Sequence, residues 1–140
     1  MKINIKKEKS VQALLKAAQK DPRVLAVILY GSLARNERTP RSDIDICLIL
    51  RHSKHLFREL SLIKLNYLKR FSSLDIQIFQ QLPLYIRQRV LKEGRVLLSK
   101  NEDKLYAVAF DFIREFADYE HIYRDYLNEV ERGWPPADSI

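Results

Sequence analysis

Residues 24 to 30 read VLAVILY, an unbroken apolar run, and residues 46 to 50 read ICLIL. Both are far shorter than the ~20 residues a membrane helix needs, and their length and composition suit strands covered on both faces. A strand of that kind has to lie inside a layered fold, and the flanking segments supply the layers. Val11, Leu14, Leu15 and Ala18 recur at helical spacing ahead of Asp21-Pro22, which stops that helix. From Leu56 to Phe71 apolar residues return every third or fourth position, which predicts a second helix. In SLDIQIF, Leu74, Ile76 and Ile78 alternate with Asp75, Gln77 and Phe79, the pattern of a third strand with one polar face. Pro83 suits the start of a helix running to Glu93, Gly94 suits its C-terminal cap, and RVLL is a short extended piece. This alternation over residues 1 to 100 predicts an α/β core, one sheet packed by helices. A last helix from about Asp103 to Val130 ends before Gly133 and Pro135-Pro136. Residues 101 to 132 are therefore expected to pack on the core or on a partner, within a single domain overall.

A chain of 140 residues can bury roughly 68–70% of its unfolded surface, enough for a core without staples. Its single cysteine, Cys47, lies inside an apolar run, so an internal disulfide is excluded and a reducing, cytoplasmic setting is expected. No signal-peptide pattern follows the charged N-terminus. Twenty-five Lys and Arg against eighteen Asp and Glu give a formal charge of +7, which favours anionic ligands in general. The basic residues are scattered, without the interleaved aromatic residues that single-strand binders stack bases on, so nucleic acid is not the expected partner.

The chemistry concentrates in YGSLARNERTPRSDIDICLIL, residues 30 to 50. On an extended segment, residues two apart point the same way, so Asp43 and Asp45 present two carboxylates on one face. Like charges that close are stabilised by a cation between them, and oxygen donors of this kind suit Mg²⁺ bound jointly with substrate phosphates. Gly31-Ser32 directly follows the first strand. Backbone N–H groups at such a turn, with glycine permitting close approach, form an anion site to which the Ser32 hydroxyl can add. If the first two strands are neighbours, phosphate site and acids lie together. Asp75, near the start of the third strand, would add a third carboxylate and complete a two-metal site.

These residues resemble the minimal nucleotidyltransferases, small members of the DNA polymerase β-like nucleotidyltransferase superfamily. GSLARNERTPRSDIDICLIL matches their G-S-x10-D-x-D pattern, LDIQIF resembles the strand bearing the third acid, and LKEGRVLL is similar to the segment that follows. The resemblance implies the polymerase β-like fold, an α/β (α+β) arrangement with a small mixed sheet flanked by helices, plus the C-terminal helix. It implies Gly31 and Ser32 as the phosphate contact, Asp43, Asp45 and Asp75 as catalytic acids and metal ligands, two Mg²⁺ ions, and ATP as substrate. Arg35 falls in the Ala-Arg pair that relatives show and would neutralise phosphate charge. Asn36 stands where relatives commonly carry glycine, and asparagine tolerates left-handed backbone. Stand-alone relatives are commonly encoded beside a HEPN-type toxin, so the resemblance also implies an antitoxin that transfers AMP from ATP to a tyrosine of that toxin.

Two rival readings are a binding-only antitoxin with a vestigial site, which three intact acids disfavour, and an RNA-binding or RNA-modifying module, which the charge alone permits. Arg114, His121 and Tyr123 approximate the R-x(4–6)-H-x-Y pattern of HEPN ribonucleases, but a four-helix domain needs far more chain than one helix. His52 and His55 have no further Cys or His at zinc-ligand spacing. Along the last helix, apolar residues from Leu105 to Val130 follow at alternating spacings of four and three, a single seam. A second row, Tyr106, Phe110, Ile113 and Ala117, widens it over the first half, as a helix closing its own core requires. Beyond Ala117 the seam narrows to Tyr119, Tyr123 and Tyr126, expected to meet another chain, either a second copy in a homodimer or the acceptor.

Overall fold

The computed structural model describes residues 8–31, 44–51 and 57–133. Helix α1 (Lys9–Lys20) leads into strand β1 (Val24–Tyr30); β2 (Ile44–Leu50), α2 (Phe57–Arg70), β3 (Leu74–Ile78), α3 (Leu84–Glu93), β4 (Arg95–Ser99) and α4 (Glu102–Glu131) follow. One mixed sheet has the order β3-β2-β1-β4. β1 is antiparallel to both β2 and β4, whereas β2 and β3 run parallel. By contact the chain divides into two compact units, Met1–Leu105 and Tyr106–Ile140, and the first holds the sheet with α1 to α3. No described helix is long and apolar enough to cross a membrane.

The apolar runs behave as fully covered strands. Leu29, Ile46, Leu48 and Leu50 join Val11, Leu14 and Ala18 of α1 and Leu60, Ile63 and Tyr67 of α2 in one core. Leu74, Ile76 and Ile78 of β3 complete it, as their alternation predicts. Cys47 and Ile49 point to the opposite face and are buried as well. That face is covered in part by α3, which carries buried Val90. Gly94 ends α3 with φ at −69°, so it is not a left-handed cap. A Cβ there would run into the Val90 carbonyl and Ile28 Cγ2, and the glycine is needed for close approach instead. β3 ends one residue earlier than its alternation suggests, because buried Phe79 begins a 3-10 turn (Phe79–Gln81). Gln80 of that turn accepts from the Leu50 N–H at 3.3 Å and donates to the Leu50 carbonyl at 2.8 Å, closing the end of β2 as a backbone neighbour would.

Asp21 fixes the corner between α1 and β1. Its carboxylate accepts from the Arg23 backbone N–H at 3.0 Å, from both ends of the Arg23 guanidinium, and from the Tyr67 hydroxyl at 2.8 Å, while its backbone carbonyl accepts from Lys100 Nζ at 2.6 Å. The Arg23 hydrogen bond is the main reason its pKa falls to about 2, against the opposing effect of burial. A depressed carboxylate contributes stability above its unfolded-state pKa and loses it as pH falls through the folded value. Asp21→Asn is therefore expected to destabilise by about 1–2 kcal/mol at pH 7, allowing for the partial exposure of Arg23. The gap between the two proteins should close as pH falls from about 4 towards about 2. Urea melts at neutral and acid pH measure it; a gap that is constant with pH would deny the charge its role.

Candidate active site

Topology brings the sequence motifs to one end of the sheet. β1 runs toward Tyr30 and Gly31, and its antiparallel neighbour β2 begins at that end with Ile44 and Asp45. β3 is parallel to β2, so it starts there too, with Leu74 and Asp75. The register makes the convergence specific: Tyr30 lies opposite Asp45, and Asp45 opposite Asp75. Neighbouring strands lie about 4.8 Å apart, and in-register side chains share a face. Both carboxylates are therefore half-buried neighbours on the face away from Ile46 and Ile76.

Gly31 closes the near side with φ at +77°, a left-handed conformation that side chains rarely adopt. A Cβ at this position would collide with the Asp45 carboxylate. Glycine is thus required twice, for the turn and for the approach of backbone to the acid. Gly31→Ala is expected to cost about 1–3 kcal/mol of stability and to lower transfer roughly tenfold by displacing Asp45. Thermal melts and transfer rates check this, and wild-type behaviour in both would remove the close approach from the site.

Asp75 is held from its outer side. Gln77, two residues on and on the same face, donates to Asp75 Oδ1 at 3.4 Å, and Lys64 of α2 donates to Gln77 Oε1 at 2.8 Å across the edge strand. Behind the acids, burial pushes up the Cys47 thiol, which leaves it protonated and unsuited to nucleophilic work. The Tyr30 hydroxyl is pushed up first by its burial, then by Cys47, Asp45 and Asp75, and stays neutral beside them.

Of the residues expected to form the site, Gly31, Asp45 and Asp75 come together; Ser32, Arg35 and Asp43 lie outside the described residues, as do His52 and His55. Among the described residues no group of three or more His, Cys, Asp or Glu is placed to hold a metal, and two of the three expected carboxylates belong to that set. Two in-register carboxylates are hard oxygen donors of the kind Mg²⁺ takes with one or two side chains, so the donor set fits the ion. Tyr30, Gln77 and Lys64 are additions that motif reading missed. Gln77 was within reach, because period-two alternation places it on the face of Asp75, whereas Tyr30 depends on the pairing of β1 with β2. Lys64 depends on tertiary packing. A separate cleft, lined among others by Lys20, Arg23, Lys69 and Arg70, opens between the C-terminal ends of α1 and α2. Its cations complement two helix C-termini and Asp21, which accounts for them structurally.

The mixed sheet and the glycine-to-acid geometry at its end define a nucleotidyltransferase. The family model described as Polymerase beta, Nucleotidyltransferase matches residues 12–103, and the chain belongs to that family. A Methanocaldococcus jannaschii protein named "Putative protein adenylyltransferase" is 37% identical over 111 residues, 79% of each chain. Among solved structures, a chain from a toxin-antitoxin with AMP-PNP aligns with a TM-score of 0.63 at 16% identity, over 89% of this chain and 98% of that one. A chain from the complex of a tri-AMPylated Shewanella oneidensis HEPN toxin with its MNT antitoxin aligns with a TM-score of 0.58 at 15% identity, over 89% and 95%. At these identities the structural likeness establishes the polymerase β-like fold.

Proposed function

We propose that the protein transfers AMP from ATP to a tyrosine hydroxyl of a partner protein, acting as an antitoxin toward a HEPN-type toxin in the cytoplasm. The observation that carries this reading is the in-register pair Asp45 and Asp75, closed on one side by Gly31. The relative named as an adenylyltransferase and the two toxin-antitoxin neighbours support the acceptor class.

Gly31 and Ser32 receive the triphosphate, and Arg35 neutralises part of its charge. The acceptor oxygen attacks the α-phosphorus, the bond from that phosphorus to the bridging oxygen of the β-phosphate breaks, and pyrophosphate leaves. Asp75 accepts the hydroxyl proton. Asp43, Asp45 and Asp75 are the residues that would hold Mg²⁺, two ions on this reading. When bound, the metal supplies Lewis-acid stabilisation of charge on the phosphoryl oxygens and lowers the pKa of the attacking hydroxyl. Gln77 keeps Asp75 in place, and Lys64 keeps Gln77 in place.

The test is intact-mass analysis of the product of the neighbouring reading frame, incubated with this chain, ATP and Mg²⁺. Expected is a gain of one or more AMP residues, mapped to tyrosine and abolished by EDTA. AMP appearing on RNA or a small molecule, or on nothing, would overturn the reading.

A further inference from the structure

Helix α4 is acidic in a basic protein. Residues 102 to 131 carry nine Asp and Glu against three Lys and Arg, a net of −6 within a chain of formal charge +7. Its seam keeps a strict seven-residue repeat, the spacing that lets one helix follow another along a shared seam. On the second half that seam is exposed: Tyr119 is 37%, Tyr123 43%, Tyr126 50% and Val130 42% accessible. The Tyr119 and Tyr123 rings stack in parallel, 6.1 Å apart, which makes a flat aromatic surface. Ile122 and Leu127 widen it on either side and are exposed as well.

The residues that flank the seam decide the occupant. They stand one position after Leu105, Phe112, Tyr119 and Tyr126 and one before Ala109, Phe116, Tyr123 and Val130, and the charged ones among them are Glu115, Glu120 and Glu129, with no Lys or Arg. In a self-paired helix every charge contact across the seam would therefore be between like charges; a parallel pair, for instance, brings Glu115 of each copy against Glu120 of the other. A partner with basic flanks removes that repulsion. It also suits the tyrosines, whose hydroxyls accept from Lys or Arg and whose rings take a guanidinium on their faces.

We propose that residues 119 to 130 of α4 dock an α-helix of a partner protein, apolar along its seam and Lys- or Arg-rich on its flanks. This extends the functional reading above by naming the surface that receives the acceptor protein. The test uses no nucleotide, so its failure leaves the transfer reading standing.

The probe is a labelled peptide of about three heptads with Leu on the seam and Lys on the flanks, compared by anisotropy with the same peptide carrying Glu on the flanks. With the full chain at low salt, the Lys peptide is expected to bind about tenfold tighter or more, with the preference weakening as salt rises. Tyr119→Ser, Tyr123→Ser and Tyr126→Ser together should abolish binding with helical circular dichroism retained. The surface pair Glu120→Lys and Glu129→Lys should shift the preference toward the Glu peptide. Equal binding of both peptides, full binding by the triple variant, or its unfolding would overturn the proposal. So would self-association of the chain that the triple variant abolishes, because the occupant would then be a second copy.

Discussion

Replacing Asp43 and Asp45 together by asparagine is expected to lower AMP transfer by at least ~10³-fold while leaving the fold intact. Charge stabilisation by a metal-carboxylate site is worth several kcal/mol in the transition state, and each tenfold in rate corresponds to about 1.4 kcal/mol. Asparagine keeps the shape of both side chains and removes the negative charge that, on the proposed reading, would hold the ion and its triphosphate. The change at Asp45 does not touch the core, since that residue lies on the face away from Ile46 and at the open end of the sheet. Asp45 also sits in register with Asp75, so neutralising it reduces the like charge at the site. The melting temperature is therefore expected to stay level or rise. Transfer measured by intact mass and unfolding measured by thermal melt separate the two effects. Retained transfer with Mg²⁺ present would deny the acids their role, and loss of both transfer and fold would make the aspartates structural.

Much of this site is legible in the sequence because strand alternation is a strong signal at β3 and unbroken apolar runs are strong at β1 and β2. Asp75 could be placed on the polar face of its strand from Leu74, Ile76 and Ile78 alone. Its register opposite Asp45 could not, because that depends on β2 pairing in parallel with β3 and antiparallel with β1, which no local pattern encodes. Gly94 shows a second limit. The sequence marks it as a helix stop, yet the constraint is a contact with Ile28 more than sixty residues earlier in the chain. Along α4, Tyr106, Phe110 and Ile113, the row expected to widen the seam, are exposed, and Phe112, on the seam itself, is buried. Helical periodicity identifies rows of apolar residues, but which row is covered is decided by what lies beside it.

For Asp75→Asn, transfer is expected to fall by at least ~10²-fold, the low end of what a positioned proton acceptor contributes, while ATP binding weakens far less. The asymmetry follows from where the residue stands. On the proposed reading the triphosphate is held by Gly31, Ser32 and the Asp43 and Asp45 pair, whereas Asp75 lies across the register from Asp45 on the edge strand β3. Its orientation is set by Gln77, itself held by Lys64, so the amide can occupy the same position with the wrong chemistry. An interaction made only as the hydroxyl proton departs lowers the chemical step without lowering ground-state affinity. Single-turnover transfer and equilibrium binding of ATP measure the two quantities separately. Full activity in the variant would move the third acid elsewhere. Asp21 could not take its place, since Arg23 and Tyr67 hold it at the far end of β1, and neither could Glu59, which lies between Phe57 and Ser61, the two residues bound by Gln81 beyond the end of β3.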